Sequence, residues 1–209
     1  MFRASRALAG VVVVIAIAWA AQPASAATIT VFSNDFPGWS AAAGGPVRLE
    51  DFSDSILVPN LSITFGTNLP GSISGGVWHD RATFTPGDNP VVSFGGGATA
   101  FGANWDTAGP GGPGTGIFLF VTFEDGSTQN VAVPIPDSFT GNFFGIVSDM
   151  TIRSIRLDAD GLGGNFETFD ADNVRFVEVP EPTSLALCGL MGAGFLGYRL
   201  RRRAKVVVA

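Results

Sequence analysis

"GIFLFVTFEDGSTQNVAV", residues 116–133, decides the fold. It holds two runs rich in aromatic and β-branched residues, GIFLFVTF (116–123) and TQNVAV (128–133). Between them, Asp125-Gly126 offers the positive φ that a tight strand-to-strand turn needs, so the stretch reads as a β-hairpin. Similar short runs recur on both sides, at 28–32, 47–52, 61–65, 91–94, 99–105, 143–148, 151–157 and 171–179, punctuated by Gly, Pro, Asn and Asp. No helical period appears between residues 27 and 179. "TIRSIRLD" (151–158) alternates with Ile152, Ser154 and Arg156 on one face and Arg153, Ile155 and Leu157 on the other, which predicts mixed burial. About ten short strands at this spacing predict an all-β, jelly-roll-like β-sandwich. "GPGGPGTG" (109–116) reads as a flexible loop.

The chain has 209 residues and a formal net charge of −6. The average conceals an asymmetry. Residues 27–179 carry five arginines, no lysine and 17 acids, a net of −12, while seven basic residues sit at the two ends. A body of that sign repels phosphate backbones, so no nucleic-acid partner is expected. The single cysteine, Cys188, lies in the C-terminal apolar run, so the body must hold itself together by packing rather than by a disulfide.

Both ends read as instructions rather than fold. Residues 1–26, MFRASRALAGVVVVIAIAWAAQPASA, have a positive start (Arg3, Arg6), an apolar stretch and a small-residue cleavage pattern at 24–26. That is a secretory signal peptide. At the other end, residues 185–200 are apolar on every side, rich in glycine, and carry Arg199 as their one charge. As a helix they span about 24 Å against a hydrocarbon core of ~30 Å, and neighbouring arginines that snorkel to the interface make up the difference. Arg201, Arg202 and Arg203 hold the end in the cytoplasm. Pro180 and Pro182 keep the segment just outside the membrane extended.

"VPEPTSLALCGLMGAGFLGYRLRRR", residues 179–203, resembles the PEP-CTERM protein-sorting domain of Gram-negative bacteria, which joins a Pro-Glu-Pro motif, one spanning helix and a basic tail. The matching residues are Pro180, Glu181 and Pro182, followed by Arg201, Arg202 and Arg203. The resemblance implies passage through the secretory translocase, a transient tether in the inner membrane, processing by exosortase, and delivery to the cell surface or the exopolysaccharide matrix. Three segments follow: signal peptide 1–26, extracellular sandwich 27–178, and sorting signal 179–205.

The body, through "AFGANW", "FFGIVSD", "IRSIRL" and "FDADNVRF", resembles lectin-like and carbohydrate-module-like sandwiches. In such modules the first and last strands are neighbours and share a structural calcium, which implies Glu50, Asp51, Asp172 and Asn173 as ligands. "DADGLGGNFE" (158–167) partly mimics a calcium loop, but Arg156 stands where that loop should open, and the stretch reads as a glycine-rich turn. Aromatics stacked on sugar faces would bind glycan, and Trp78 and Trp105, beside glycine-rich segments, are the candidates. Catalysis has little to work with. The body lacks cysteine, has the single histidine His79, read as a loop or edge residue, and has no nucleophile elbow. A non-catalytic protein of adhesion or glycan contact is expected, against an extracellular glycan-active hydrolase or a purely structural matrix protein.

Overall fold

The computed structural model of the chain describes residues 26–67, 71–108, 116–159 and 166–179. The hairpin at its centre joins β7 (Ile117–Phe123) to β8 (Thr128–Asn130), with Phe120 opposite Asn130 and Thr122 opposite Thr128. Gly126 takes φ +83° at the turn, and Asp125 Oδ1 accepts from the Ser127 amide and hydroxyl at 2.8 and 2.6 Å. Ile117, Leu119, Val121 and Phe123 are all buried, each contributing about 1.5–3 kcal/mol of transfer free energy.

The other strands are β1 (Ile29–Ser33), β2 (Val47–Glu50), β3 (Leu61–Thr64), β4 (Ser72–Ser74), β5 (Val77–Thr83), β6 (Val91–Asp106), β9 (Thr140–Ala159) and β10 (Phe166–Glu178). Every pairing is antiparallel. The fold is an all-β, jelly-roll-like sandwich, and two long strands serve both layers. The first layer runs β3, the start of β6, the end of β9, β7, β8. The second runs β4, β5, β10, the end of β6, the start of β9, β1, with β2 also on β10. Strand β6 leaves one layer for the other at Gly95–Gly96–Gly97, where Ser93 faces Ser154 but Ala98 already faces Ile152. Gly97 has φ +75°, and a Cβ there would stand 2.4 Å from the Thr151 side chain, so the crossing needs glycine.

Between the layers lies one core. Val92, Leu119, Val121, Ile155 and Leu157 from the first layer meet Phe101, Trp105, Phe144, Phe169 and Phe176 from the second. The mixed burial expected of 151–158 is found, and its cause is a break in the strict alternation read from the sequence. A bulge at Arg153 sets Thr122 against Ser154 and Phe123 against Ile152, so two residues of β9 answer one step of β7. Ile152, Ile155 and Leu157 therefore all face inward, each with no exposed surface.

The expectation of no helix is corrected. α1 (Phe36–Ala43) covers the outer side of the second layer, packing Trp39 against Ala100, Phe143 and Val177. Asp35 caps it by accepting from the Gly38 amide at 2.9 Å, Pro37 sits in its first turn, and Gly44 ends it at φ +67°. Eight residues containing Pro and Gly are too short to show a helical period. The Trp39 indole donates to the Ile146 carbonyl at 3.0 Å, and the ring lies where Gly145 leaves room for it.

Among the described residues no helix is long and apolar enough to cross a membrane. The signal peptide, the sorting signal with Pro180, Glu181, Pro182, Arg201, Arg202 and Arg203, and the loop at 109–115 lie outside the described residues.

Candidate functional site

Alternation along the strands gives the first layer one apolar face and one polar face. Across the polar, outer face, register lines up hydroxyls: Ser62 on β3 lies opposite Ser93 on β6, Ser93 opposite Ser154 on β9, and Ser154 opposite Thr122 on β7. Thr128 on β8 lies opposite Thr122, outside the groove that the other four line. Neighbouring strands lie about 4.8 Å apart, so Ser62 to Thr122 spans roughly 14 Å. The first four hydroxyl residues line an open groove of about 810 Å³, together with Glu124 and Arg153.

The two charges arrive by different local devices. The bulge that turns Ile152 and Ile155 inward leaves Arg153 beside Ser154 on the outside. Glu124 follows β7, where its amide donates to the Thr151 carbonyl at 3.0 Å. Among the described residues neither side chain forms a hydrogen bond or ion pair with another side chain.

The adjoining row on this face is different, because it is committed to structure. The Arg156 guanidinium lies 4.3 Å over the Phe120 ring and donates to both Asp158 oxygens at 2.6 and 2.7 Å. Those bonds to Asp158 hold the Arg156 guanidinium above its ordinary value. Asn89 completes the group by donating to Asp158 at 2.7 Å. The groove can therefore offer a row of neutral hydroxyls, one carboxylate acceptor and one guanidinium donor.

The calcium set does not assemble as expected. Glu50 lies opposite Val174, so LEDF and DADN do occupy neighbouring strands. Glu50, however, turns into the interior at 4% exposure, and its two oxygens accept from the Phe52 amide at 2.7 Å and the Val58 amide at 2.8 Å. It closes the 51–58 loop. Asp51 is exposed and takes hydrogen bonds from Ser53, which hold its carboxyl below the usual range. Asp172 pairs with Asn104 on the opposite side of the layer, where its oxygens accept from the Asn173 amide and side chain. Asn173 adopts φ +51° at the bulge that shifts the register before Arg175. Glu50 and Asp172 thus face opposite ways, and among the described residues no group of three or more His, Cys, Asp or Glu side chains could hold a metal ion.

The tryptophans are corrected too. Trp78 and Trp105 have no exposed surface. The Trp78 indole donates to Asp80 at 3.1 Å and meets Phe169 edge-on at 5.1 Å, and the Trp105 indole donates to the Phe144 carbonyl at 3.3 Å. An indole N–H buried with its acceptor is a core element, not a sugar platform. Among the described residues the large aromatics on the surface are phenylalanines: Phe36 is 40% exposed, Phe84 is 68% exposed, and Phe166 is 43% exposed with the Arg81 guanidinium 4.2 Å over its ring.

A smaller groove of about 260 Å³ lies on the outer side of the second layer, lined by Asn104, Asp106, Asp170, Asp172 and Asn173. His79, read as a loop or edge residue, lies on β5, next to the outermost strand β4, where Nδ1 contacts Asp170 Oδ1 at 2.5 Å and Nε2 contacts the Ser74 carbonyl at 3.3 Å. It ties the β4–β5 hairpin to β10.

No protein-family model matches the chain, and no curated protein matches it. Solved structures do resemble it. A mutant of a carbohydrate binding module of family 29 aligns at 13% identity over 63% of this chain and 90% of its own, with a TM-score of 0.44. A family 29 module mutant complexed with cellulohexaose aligns at 12% identity over 63% of this chain and 89% of its own, TM-score 0.42. The family 32 module from C. perfringens NanJ in complex with galactose aligns at 18% identity over 62% of this chain and 99% of its own, TM-score 0.38. Likeness at this level assigns no ligand to the present chain.

Proposed function

We propose that this is an exported, non-catalytic β-sandwich that contacts glycan through the outer face of its first layer, at the cell surface or in the exopolysaccharide matrix. The observation that carries this reading is the groove in which Ser62, Ser93, Ser154 and Thr122 form one row beside Glu124 and Arg153. Sugar hydroxyls donate and accept at once, and serine and threonine hydroxyls answer in both roles. A carboxylate and a guanidinium add the charge-assisted bonds that fix orientation. Retaining and inverting glycoside hydrolysis both need two flanking carboxyl groups, and among the described residues lining this groove Glu124 is the one carboxylate.

Export belongs to the proposal. The signal peptide at 1–26 and the Pro-Glu-Pro, apolar and arginine sequence at 179–205 support delivery by the secretory translocase and release by exosortase. Mass spectrometry of the native protein tests this: a mature C-terminus near Pro180–Pro182 supports it, and a retained arginine end in the cytosol overturns it. A glycan array tests the contact itself, comparing the wild-type protein with Ser93→Leu, which places an isobutyl group in the middle of the hydroxyl row. Retention of wild type but not variant, at equal melting temperature, supports the reading; an array on which no glycan retains the wild type overturns it.

A further inference from the structure

We infer that the groove takes a neutral, linear glycan chain lying across the strands, one sugar unit to each strand, rather than a single terminal sugar. The inference rests on the glycan-contact reading and names its substrate class. It follows from the geometry of the row. The four hydroxyls come from four successive strands at the same register level, and so repeat at the strand spacing of about 4.8 Å. A pyranose in an extended, equatorially linked chain advances by nearly that distance. A chain laid along the strands would instead meet alternate positions of one strand and pass from the hydroxyl row into the Arg156–Phe120 row, which Asp158 and Asn89 already occupy.

The shape of the site agrees. A pocket for one terminal sugar is enclosed and offers convergent groups, whereas this groove is open and its polar groups are strung out. Arg153 and Glu124 lie beside the third and fourth positions of the row, where each can engage neighbouring hydroxyls of one unit as a two-atom donor and a two-atom acceptor. Charge selects against acidic glycans. The groove itself balances one guanidinium against one carboxylate, within a body of net −12 between residues 27 and 179. A polyuronate brought to this face meets a like-charged surface, while a neutral chain pays no such repulsion.

Calorimetric titration of the purified protein with mono- to hexasaccharides of 1,4-linked β-glucose and β-mannose, and with a galacturonate ladder, tests the inference. Net gains of about 0.5–1.5 kcal/mol per hydrogen bond correspond to roughly two- to tenfold tighter binding per unit added. The expected result is that gain up to four units and no further gain beyond, with galacturonates weaker than neutral chains of equal length. Ser62→Leu should shorten the plateau by one unit, because Ser62 closes one end of the four-residue row. Affinity independent of length, or a preference for galacturonates, overturns the linear neutral chain while leaving glycan contact in place. Binding on the array confined to other glycans, with neither neutral ladder bound, overturns it in the same way. Absence of binding on the array and in every titration overturns the glycan reading itself.

Discussion

Replacing Glu50 by glutamine separates a structural carboxylate from a metal ligand. Glu50 is 4% exposed, and each of its oxygens accepts one backbone amide, from Phe52 at 2.7 Å and Val58 at 2.8 Å. Glutamine keeps one carbonyl oxygen but points an NH2 group at the second amide, so one donor loses its acceptor and the other loses a charged one. Leaving a buried donor without its partner costs about 1–3 kcal/mol. At about 2–4 °C per kcal/mol for a domain of this size, a loss near 2 kcal/mol lowers the melting midpoint by roughly 4–8 °C. Scanning calorimetry in calcium and again in chelator gives the measurement. The expected drop has the same size in both, because the oxygens are engaged by amides; Asp51→Asn, at an exposed position, leaves the melting midpoint close to that of the wild type. An unchanged midpoint in Glu50→Gln refutes the amide clamp. A calcium-dependent rise in the wild type that disappears in Glu50→Gln refutes it as well and restores the ligand role.

Other outcomes follow from the same packing. Trp39, Trp78 and Trp105 have no exposed surface, so a protein made from Ala27 onward, without Trp19, should emit in the blue, resist acrylamide quenching and keep its spectrum when glycan is added; a red shift or glycan-dependent quenching would contradict their burial. Gly145→Ala places a Cβ 2.8 Å from the Phe143 ring and 2.9 Å from the Phe101 carbonyl and the Trp39 ring, and should cost about 1–3 kcal/mol in denaturant unfolding. Burial raises the Asp80 carboxyl above its ordinary value of 3.8 despite hydrogen bonds from Arg81, Trp78 and Gly66. A raised folded value gives stability that is present below 3.8 and lost as pH rises through the folded value. The penalty of Asp80→Asn should therefore be larger near pH ~3 than near pH ~7, and a penalty that grows toward neutrality contradicts the shift.

Much of the fold was legible because alternation and turn chemistry agree, as in the β7–β8 hairpin around Asp125-Gly126. What escaped has physical causes. Strand β5 was hidden because Asp80 and His79 interrupt its apolar pattern; Asp80 is buried among hydrogen-bond donors that sequence does not display. The segments 91–94 and 99–105 read as two strands because the glycines between them look like a loop, whereas they carry one strand from layer to layer. The site was less legible than the fold. Tryptophans near glycines suggested platforms, but their indoles find buried acceptors. The hydroxyl row was invisible for a different reason. Ser62, Ser93, Thr122 and Ser154 are scattered singly along the chain, and only strand register, including the bulge at Arg153, aligns them.

Co-sedimentation of the purified protein with exopolysaccharide from the producing organism, comparing wild type with Ser93→Leu/Ser154→Leu, tests the central claim most directly. The account predicts that the wild type pellets with the polysaccharide and the variant stays in solution, while both melt at the same temperature. A folded variant that pellets as fully as the wild type would contradict it.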